Sequence, residues 1–222
     1  PMIKVSGQGI YLSDQSLKPI DTEQLVYSFF TDEQKKQMEI DPEVNLAYSI
    51  PQIGRFRGNI YRQRGSIAFV FRRVESKIPT VEELLLPPVL NDIILESRGL
   101  ILVTGATGSG KSTTLAAMIH HRNLNKTGHV VTIEDPIEFV HKNEKSIISQ
   151  REVGTDTHSF AKALRSALRQ APDVILIGEM RDPETVTAAI DFAETGHLVL
   201  STLHSTNANQ TIERIMQFFP QD

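Results

Sequence analysis

The sequence predicts an α/β fold, in which a parallel sheet with crossover helices is preceded by a smaller antiparallel α+β domain. From residue 80 onward, apolar runs alternate with amphipathic segments, a pattern typical of parallel strands joined by helices. Before residue 75, short alternating runs are separated by tight-turn residues, which favours hairpins. The polar segment 75–79 ends in a proline and is predicted to be the linker, so the expected domains are residues 1–76 and 77–222.

The N-terminal domain is predicted to contain short strands and hairpins around one helix. That helix is expected at Thr22–Phe30, where four apolar residues recur at helical spacing. Two strands are expected at Arg55–Ile60 and Ser66–Arg72, with Gln63–Gly65 as the turn between them.

The second domain is predicted to alternate strands and helices. The strands are expected at Gly99–Thr104, His129–Glu134, Asp173–Gly178 and His197–Thr202, and the helices at Ser112–Arg122, Ser159–Arg169 and Pro183–Thr195. The last helix has clear boundary signals, because Asp182 is a favourable N-cap, Pro183 suits the first helical position and Gly196 can end the helix.

Composition and charge exclude several classes of protein. The 222 residues contain no cysteine, so disulfides and thiolate metal sites are impossible, and no apolar run reaches the length of a membrane-spanning helix. The opening residues, PMIKVSGQGIY, lack the layout of a secretory signal, and a cytoplasmic location is expected. The net charge of −4 argues against a nucleic-acid-coating protein. The chain opens on a proline and stops directly after a helical segment, so we expect a fragment, incomplete at its start and truncated at its C-terminus.

A phosphate-binding loop follows the first strand of the second domain. Residues 105–112 match the pattern G-x-x-x-x-G-K-[S/T], with a strand before them and an amphipathic helix after them. The candidate nucleotide-binding residues are Gly105, Ala106, Thr107, Gly108, Ser109, Gly110, Lys111, Ser112 and Thr113. Lys111 can reach the outer phosphates, Ser112 can ligate Mg²⁺, and Thr113 can touch the α-phosphate. A GTPase is not favoured, because Asn125-Lys126-Thr127-Gly128 lacks the expected aspartate.

Acidic residues follow two other predicted strands. Glu179 ends a hydrophobic strand, and Glu134, Asp135 and Glu138 follow another. The carboxyl ends of parallel strands meet at one edge of a sheet, where ligands bind. One carboxylate could therefore serve Mg²⁺ and another could orient the attacking water, while solvated surface acids are the alternative.

Two histidines bracket the last predicted strand, His197 before it and His204 after it. An imidazole near the outer phosphate could change partner when that phosphate leaves. Metal binding is the rival interpretation, although no cysteine or close carboxylate–histidine pair supports it. The other five histidines are interpreted as helix, strand-end or loop residues.

Together these motifs resemble those of the PilT/PilU family of type IV pilus retraction ATPases, within the secretion ATPase superfamily. The residues around the motifs are more similar to PilU than to PilT. The segments that carry the resemblance are GATGSGKSTTLAAMI, TIEDPIEFVH, ALRQAPDVILIGEMRDPET and AETGHLVLSTLH. The resemblance implies a small PAS-like domain before a RecA-like ATPase domain, a hexameric ring, and ATP with Mg²⁺ as ligands. It also implies that Glu138 is the catalytic glutamate, that Glu179 is the acid near Mg²⁺, and that His197 and His204 are a catalytic pair with His204 nearer the nucleotide.

The resemblance further assigns arginines of the N-terminal domain to ATP, within or across a subunit boundary. Six arginines and no acid lie between Arg55 and Arg73. Arg57 and Arg72 are favoured as catalytic, with Arg55 as an alternate, because a guanidinium can stabilise charge on the transferred phosphoryl group. The alternative is a solvated or inter-domain basic face.

The implied function is pilus retraction, driven by a cytoplasmic ring peripheral to the inner membrane. The implied partners are an inner-membrane platform protein and a second, PilT-like ATPase, with no nucleic acid. Pilus extension or type II secretion, a DNA-handling RecA-like motor and a non-catalytic regulatory ring subunit are the alternatives.

Overall fold

The computed structural model describes residues 1–5, 7–74 and 77–219. The chain divides into two compact units, Pro1–Arg73 and Val74–Asp222. The predicted linker begins on Glu75 and Ser76, which lie outside the described residues.

The first unit contains a hairpin, two helices and a three-stranded antiparallel sheet. Its elements are β1 (Met2–Val5), β2 (Gln8–Tyr11), α1 (Pro19–Phe29), α2 (Asp32–Ile40), β3 (Glu43–Ile50), β4 (Gly54–Gln63) and β5 (Ser66–Arg73). β1 pairs with β2, and β4 lies between β3 and β5. The expectation of one helix is wrong, because α2 follows α1 directly. Thr31 caps α2 by accepting a hydrogen bond from the Gln34 N–H at 3.2 Å.

The hydrophobic core of the first unit lies on one face of its sheet. Val26 of α1, Met38 of α2 and Ile60 of β4 are fully buried there. The predicted hairpin forms between β4 and β5 in register, with Arg64 and Gly65 both at positive φ as its two-residue loop. Arg55, Arg57 and Arg72 lie on the opposite face of the sheet, because side chains alternate between faces along a strand and Arg57 pairs with Arg72.

The second unit has a five-stranded, wholly parallel sheet with helices on both faces. Its elements are α3 (Val89–Ile93), β6 (Gly99–Thr104), α4 (Lys111–Asn125), β7 (Gly128–Glu134), β8 (Ser146–Glu152), α5 (Phe160–Ala167), β9 (Val174–Ile177), α6 (Pro183–Glu194), β10 (Leu198–Leu203) and α7 (Ala208–Met216). The strand order is β6-β10-β9-β7-β8. The four predicted strands are present; β8 was not predicted.

Apolar helix faces cover the two sides of this sheet. Leu115, Met118 and Ile119 of α4 pack on one side, and α5 and α6 pack on the other. The four residues of β9 and the six of β10 are all buried, as expected of central strands covered on both faces. This arrangement brings the carboxyl ends of β6, β10, β9 and β7 to one edge.

The helix boundaries follow the capping residues. Asp182 caps α6 by accepting a hydrogen bond from the Thr185 N–H at 2.8 Å, and Gly196 follows the helix with a φ of 98°. The helix expected at Ser159–Arg169 is α-helical only over Phe160–Ala167 and continues as a 3₁₀ turn, Leu168–Gln170. In the described part of the chain, no helix is both long and apolar enough to cross a bilayer.

Candidate functional site

The loop between β6 and α4 forms a cradle of the kind that holds phosphate. Gly105, Gly108 and Gly110 have φ values of 155°, 77° and 91°. A Cβ at Gly105 would lie 2.5 Å from Ser109 Oγ, so only glycine fits there. Lys111 Nζ donates to the carbonyl oxygens of Gly105 and Ala106, at 2.9 Å each. The loop therefore folds back on its own lysine and lies at the N-terminus of a 15-residue helix, which favours an anion.

A cavity of about 360 Å³ opens beside this loop. Six of the predicted nucleotide-binding residues line it: Thr107, Gly108, Gly110, Lys111, Ser112 and Thr113. Glu138, Glu179 and His204 line it as well. The structure therefore brings the predicted phosphate loop, both predicted acids and one predicted histidine to a single cavity.

Glu179 is the centre of a polar cluster that follows β9. Arg181 Nε donates to Glu179 Oε2 at 2.8 Å, and His204 Nε2 lies 3.2 Å from Glu179 Oε1. Arg181 also approaches Asp135, with 3.5 Å between Nη1 and Oδ2. Arg181 was not among the predicted site residues, although it lies two positions after Glu179 and lines the same cavity.

Glu134 and Glu138 differ in their surroundings. The Glu134 carboxyl accepts hydrogen bonds from Thr132 Oγ1 at 2.7 Å and from Gln150 Nε2 at 3.2 Å. Burial raises the pKa of the Glu134 carboxyl, and these hydrogen bonds only partly counteract that effect. Glu138 is exposed, and within residues 77–219 no hydrogen bond reaches its carboxylate. Glu134 is thus part of the framework, whereas Glu138 is free to meet a ligand.

His141 is a neutral member of the cavity wall. Burial, followed by the proximity of His120, lowers the pKa of His141 to about 4, so its imidazole is uncharged at neutral pH. Its backbone N–H donates to Gln150 Oε1 at 2.8 Å. Sequence reasoning had assigned His141 no role, because nothing in the sequence shows that the segment after Glu138 turns toward the phosphate loop.

The two predicted catalytic histidines lie at opposite ends of β10. His204 is at the cavity, whereas His197 precedes β10 at the other edge of the sheet. His197 Nδ1 lies 3.1 Å from the Phe192 carbonyl oxygen, and the two rings meet edge to face at 5.4 Å. Within the second unit the structure does not bring His197 to the cavity, and its assignment as catalytic stays a prediction.

The favoured arginines belong to the first unit. Arg57 of β4 lies directly opposite Arg72 of β5, so both side chains occur on the same face of the sheet. Arg55 shares that face, two residues earlier on β4. The sheet therefore places three arginines on one face, and their action on a nucleotide stays a prediction.

Within the described ranges, no group of three or more His, Asp or Glu side chains is arranged to hold a metal ion. Ser112 and Glu179 nevertheless line the same cavity. A hydroxyl and a carboxylate are oxygen ligands of the kind that Mg²⁺ takes together with phosphate oxygens. The donor set therefore fits a magnesium ion that arrives with a nucleotide.

Comparison with known proteins decides the family. The family described as type II/IV secretion system protein matches residues 83–221. The chain belongs to this family. It is 50% identical over 222 residues to the type IV pilus ATPase PilU of Pseudomonas aeruginosa, and 47% identical over the same length to the type IV pilus retraction ATPase PilT of that organism. The chain spans 58% of that PilU and 64% of that PilT.

A solved structure supports the same relationship. The crystal structure of the pilus retraction motor PilT with bound ADP matches 99% of this chain and 64% of its own, at a TM-score of 0.94 and 49% identity. The predicted fold, an α/β P-loop ATPase domain preceded by a small α+β domain, is confirmed. The resemblance to the PilT/PilU family that the motifs suggested is confirmed as well.

Proposed function

We propose that this protein hydrolyses ATP as a subunit of a motor that retracts type IV pili. The observation that carries the ATPase is the convergence of the phosphate loop, Glu138, Glu179 and His204 on one cavity. The name of the PilT relative, a type IV pilus retraction ATPase, supports retraction rather than extension or secretion, and the PilU relative is named as a type IV pilus ATPase. Their high identity along the whole chain includes the arginine-bearing first unit.

The phosphate loop would hold the triphosphate. Lys111 Nζ now bonds two carbonyls of its own loop, at 2.9 Å each, and would exchange them for the outer phosphates at little cost. Ser112 and Glu179 would hold the magnesium ion, and Thr113 would contact the α-phosphate. When bound, Mg²⁺ neutralises charge that develops on the phosphate oxygens.

Glu138 would orient the attacking water and take its proton. Its carboxylate is exposed at the cavity and is not committed to another hydrogen bond within residues 77–219. A base of this kind has to be free in the resting protein and fixed in direction. His204 Nε2 lies 3.2 Å from Glu179 Oε1, so its hydrogen bond to that carboxylate would change when Glu179 binds or releases the metal.

The remaining parts of the proposal rest on the family resemblance of the sequence motifs. The motor would be a homo-hexamer, peripheral to the inner membrane, docked on a platform protein and assisted by a PilT-like partner. Arg57 and Arg72 would act on ATP as a pair, with Arg55 as the alternate. Two guanidinium groups on one face of the sheet can bind several phosphate oxygens of ATP, whereas a single cation can bind fewer.

Steady-state hydrolysis by the full-length protein tests this proposal. Wild-type protein should hydrolyse ATP, and Glu138→Gln should lower turnover on the order of 10²-fold, since general-base catalysis contributes about that much. ATP affinity and melting temperature should stay near wild type, because the Glu138 side chain is exposed and its carboxylate accepts no hydrogen bond within residues 77–219. Turnover of the variant at the wild-type rate would remove Glu138 from the catalytic role.

A further inference from the structure

The proposed base lies on a segment that is neither helix nor strand. Residues 135–145, here called the acid segment, connect β7 to the parallel strand β8 without a crossover helix. Apart from Phe139, which forms an isolated β-bridge, the described residues of this segment belong to no strand or helix ladder, so most of its peptide groups need other partners. Those partners determine where the Glu138 carboxylate can be.

Gln150 of β8 supplies partners on both sides of the segment's centre. Its Nε2 donates to the Phe139 carbonyl oxygen at 2.9 Å, and its Oε1 accepts from the His141 N–H at 2.8 Å. The same Nε2 donates to Glu134 Oε1 at 3.2 Å. One amide therefore joins the end of β7 to the segment that follows it.

Two other side chains hold the segment on either side of this contact. Glu152 Oε2 accepts from the Ile137 N–H at 3.2 Å. Asn123 of α4, itself fully buried, donates to the Lys142 carbonyl oxygen at 2.7 Å. Ile137 and Phe139, the neighbours of Glu138, are thus each fixed through the backbone by a side chain of β8.

The register of the sheet explains why β8 can do this. Gln150 lies opposite Thr132, and Glu152 lies opposite Glu134, so both project from the face on which Thr132 bonds Glu134. The raised pKa of Glu134 is consistent with a buried group that needs the Gln150 donor.

We infer that Gln150 is a positioning residue for the reaction: its side-chain amide holds the acid segment so that Glu138 points at the attacking water. This inference rests on the proposed ATPase function. Gln150 does not act on the nucleotide itself, because its hydrogen-bonding atoms are occupied by Glu134, Phe139 and His141.

Gln150→Leu removes all three hydrogen bonds at nearly constant side-chain size. In the full-length protein, kcat should fall about 10- to 100-fold, since a misplacement of the order of 1 Å at a catalytic group can cost that much. KM for ATP and the affinity for ADP should stay within about two-fold of wild type, because the phosphate loop is untouched. The matched control is Ser149→Ala, one residue earlier on β8, where the hydroxyl bonds His129 Nε2 at 2.9 Å; its kcat should stay at the wild-type value.

Gln150→Glu supplies a readout that a purely structural role would not move. As a carboxylate it keeps the acceptor for His141 but places negative charge beside Glu134, and when protonated it regains one donor. Its activity relative to wild type should therefore rise as the pH falls, whereas that of Gln150→Leu should be independent of pH. This variant also decides the matter if Gln150→Leu does not fold, since a flat ratio would contradict the inference.

A double variant separates positioning of Glu138 from any other effect. If Gln150 acts through Glu138, adding Gln150→Leu to Glu138→Gln should lower turnover no further. Additive losses would overturn the inference, as would wild-type kcat in Gln150→Leu. If wild-type protein shows no hydrolysis, the proposed function fails and the inference falls with it. If Glu138→Gln abolishes a wild-type activity that Gln150→Leu leaves intact, only the inference fails.

Discussion

A single methyl group at Gly178 should disturb both acid-bearing strand ends at once. Gly178 lies between the end of β9 and Glu179, and its N–H donates to the Ile133 carbonyl oxygen at 2.8 Å. Its carbonyl oxygen accepts from Thr202 Oγ1 at 2.7 Å. A Cβ added here would lie 3.2 Å from Glu134 Cα and 3.2 Å from the Ile133 carbonyl oxygen. Both are backbone atoms, so Gly178→Ala has to push the end of β7 away from β9.

The expected cost follows from that geometry. Relief of the contact needs a shift of a few tenths of an ångström, so the free energy of unfolding should fall by about 1–2 kcal/mol, the lower part of the range for overpacking. In a chain of this size that lowers the melting temperature by roughly 2–8 °C. Because the shift carries Glu134 and its hydrogen-bond partners with it, kcat should fall about 10-fold with little change in KM.

Calorimetry and steady-state kinetics on Gly178→Ala measure both quantities. Gly9→Ala is the control, because its Cβ would meet only the flexible end of the Met2 side chain, at 2.7 Å from Sδ, and should cost less than about 0.5 kcal/mol. Wild-type stability together with wild-type kcat in Gly178→Ala would refute the claim that the two strand ends are in tight contact. Lower stability with unchanged kcat would refute the coupling of that contact to catalysis.

Two further predictions concern charge at the site. Glu134→Gln should raise the melting temperature of the nucleotide-free protein at pH 8, with the gain vanishing as the pH falls to the ordinary pKa of glutamate. Folding raises the pKa of the Glu134 carboxyl above its value in the unfolded chain. The ionised carboxylate therefore destabilises the folded protein above the raised pKa and has no such effect below the ordinary pKa. Equal melting temperatures of wild type and variant at all pH values would contradict this. In rings verified by pull-down to be mixed, Lys111→Ala and Arg57→Ala subunits, each inactive alone, should partly restore hydrolysis, because some junctions combine an intact phosphate loop with an intact arginine. Mixed rings without activity at every ratio would place Arg57 in its own subunit or outside the reaction.

The strands that carry the site could be predicted because burial leaves a strong sequence signal. Residues of β9 and β10 are buried on both faces, so each reads as an unbroken apolar run. β8 escaped prediction because its segment, SIISQRE, places polar residues at the positions that face Glu134 and the acid segment. Helix α2 was missed for a related reason, since only Met38 of its nine residues is buried, although Thr31 and Gln34 form a capping box.

The polar framework of the site could not be predicted from sequence at all. Gln150 and Glu134 are 16 positions apart, and their hydrogen bond exists only because β8 pairs with β7 in one particular register. A shift of one residue would turn Gln150 to the other face. Sequence patterns indicate which acidic residues follow strands. They do not show which carboxylate is fixed by hydrogen bonds, as in Glu134, and which is exposed, as in Glu138.

The order of strands explains why Lys111 bonds backbone carbonyls of its own loop rather than the carboxylate of Glu179. β10 lies between β6, which leads to the phosphate loop, and β9, which leads to Glu179. Neighbouring strands are about 4.8 Å apart, so Lys111 and Glu179 start from strands separated by about 10 Å. In place of a Lys111–Glu179 ion pair, Lys111 bonds backbone carbonyls, and Glu179 bonds Arg181 and His204. Because β10 separates Lys111 from Glu179, a phosphate chain with its metal can bind between these two side chains. No salt bridge of the phosphate loop has to break first.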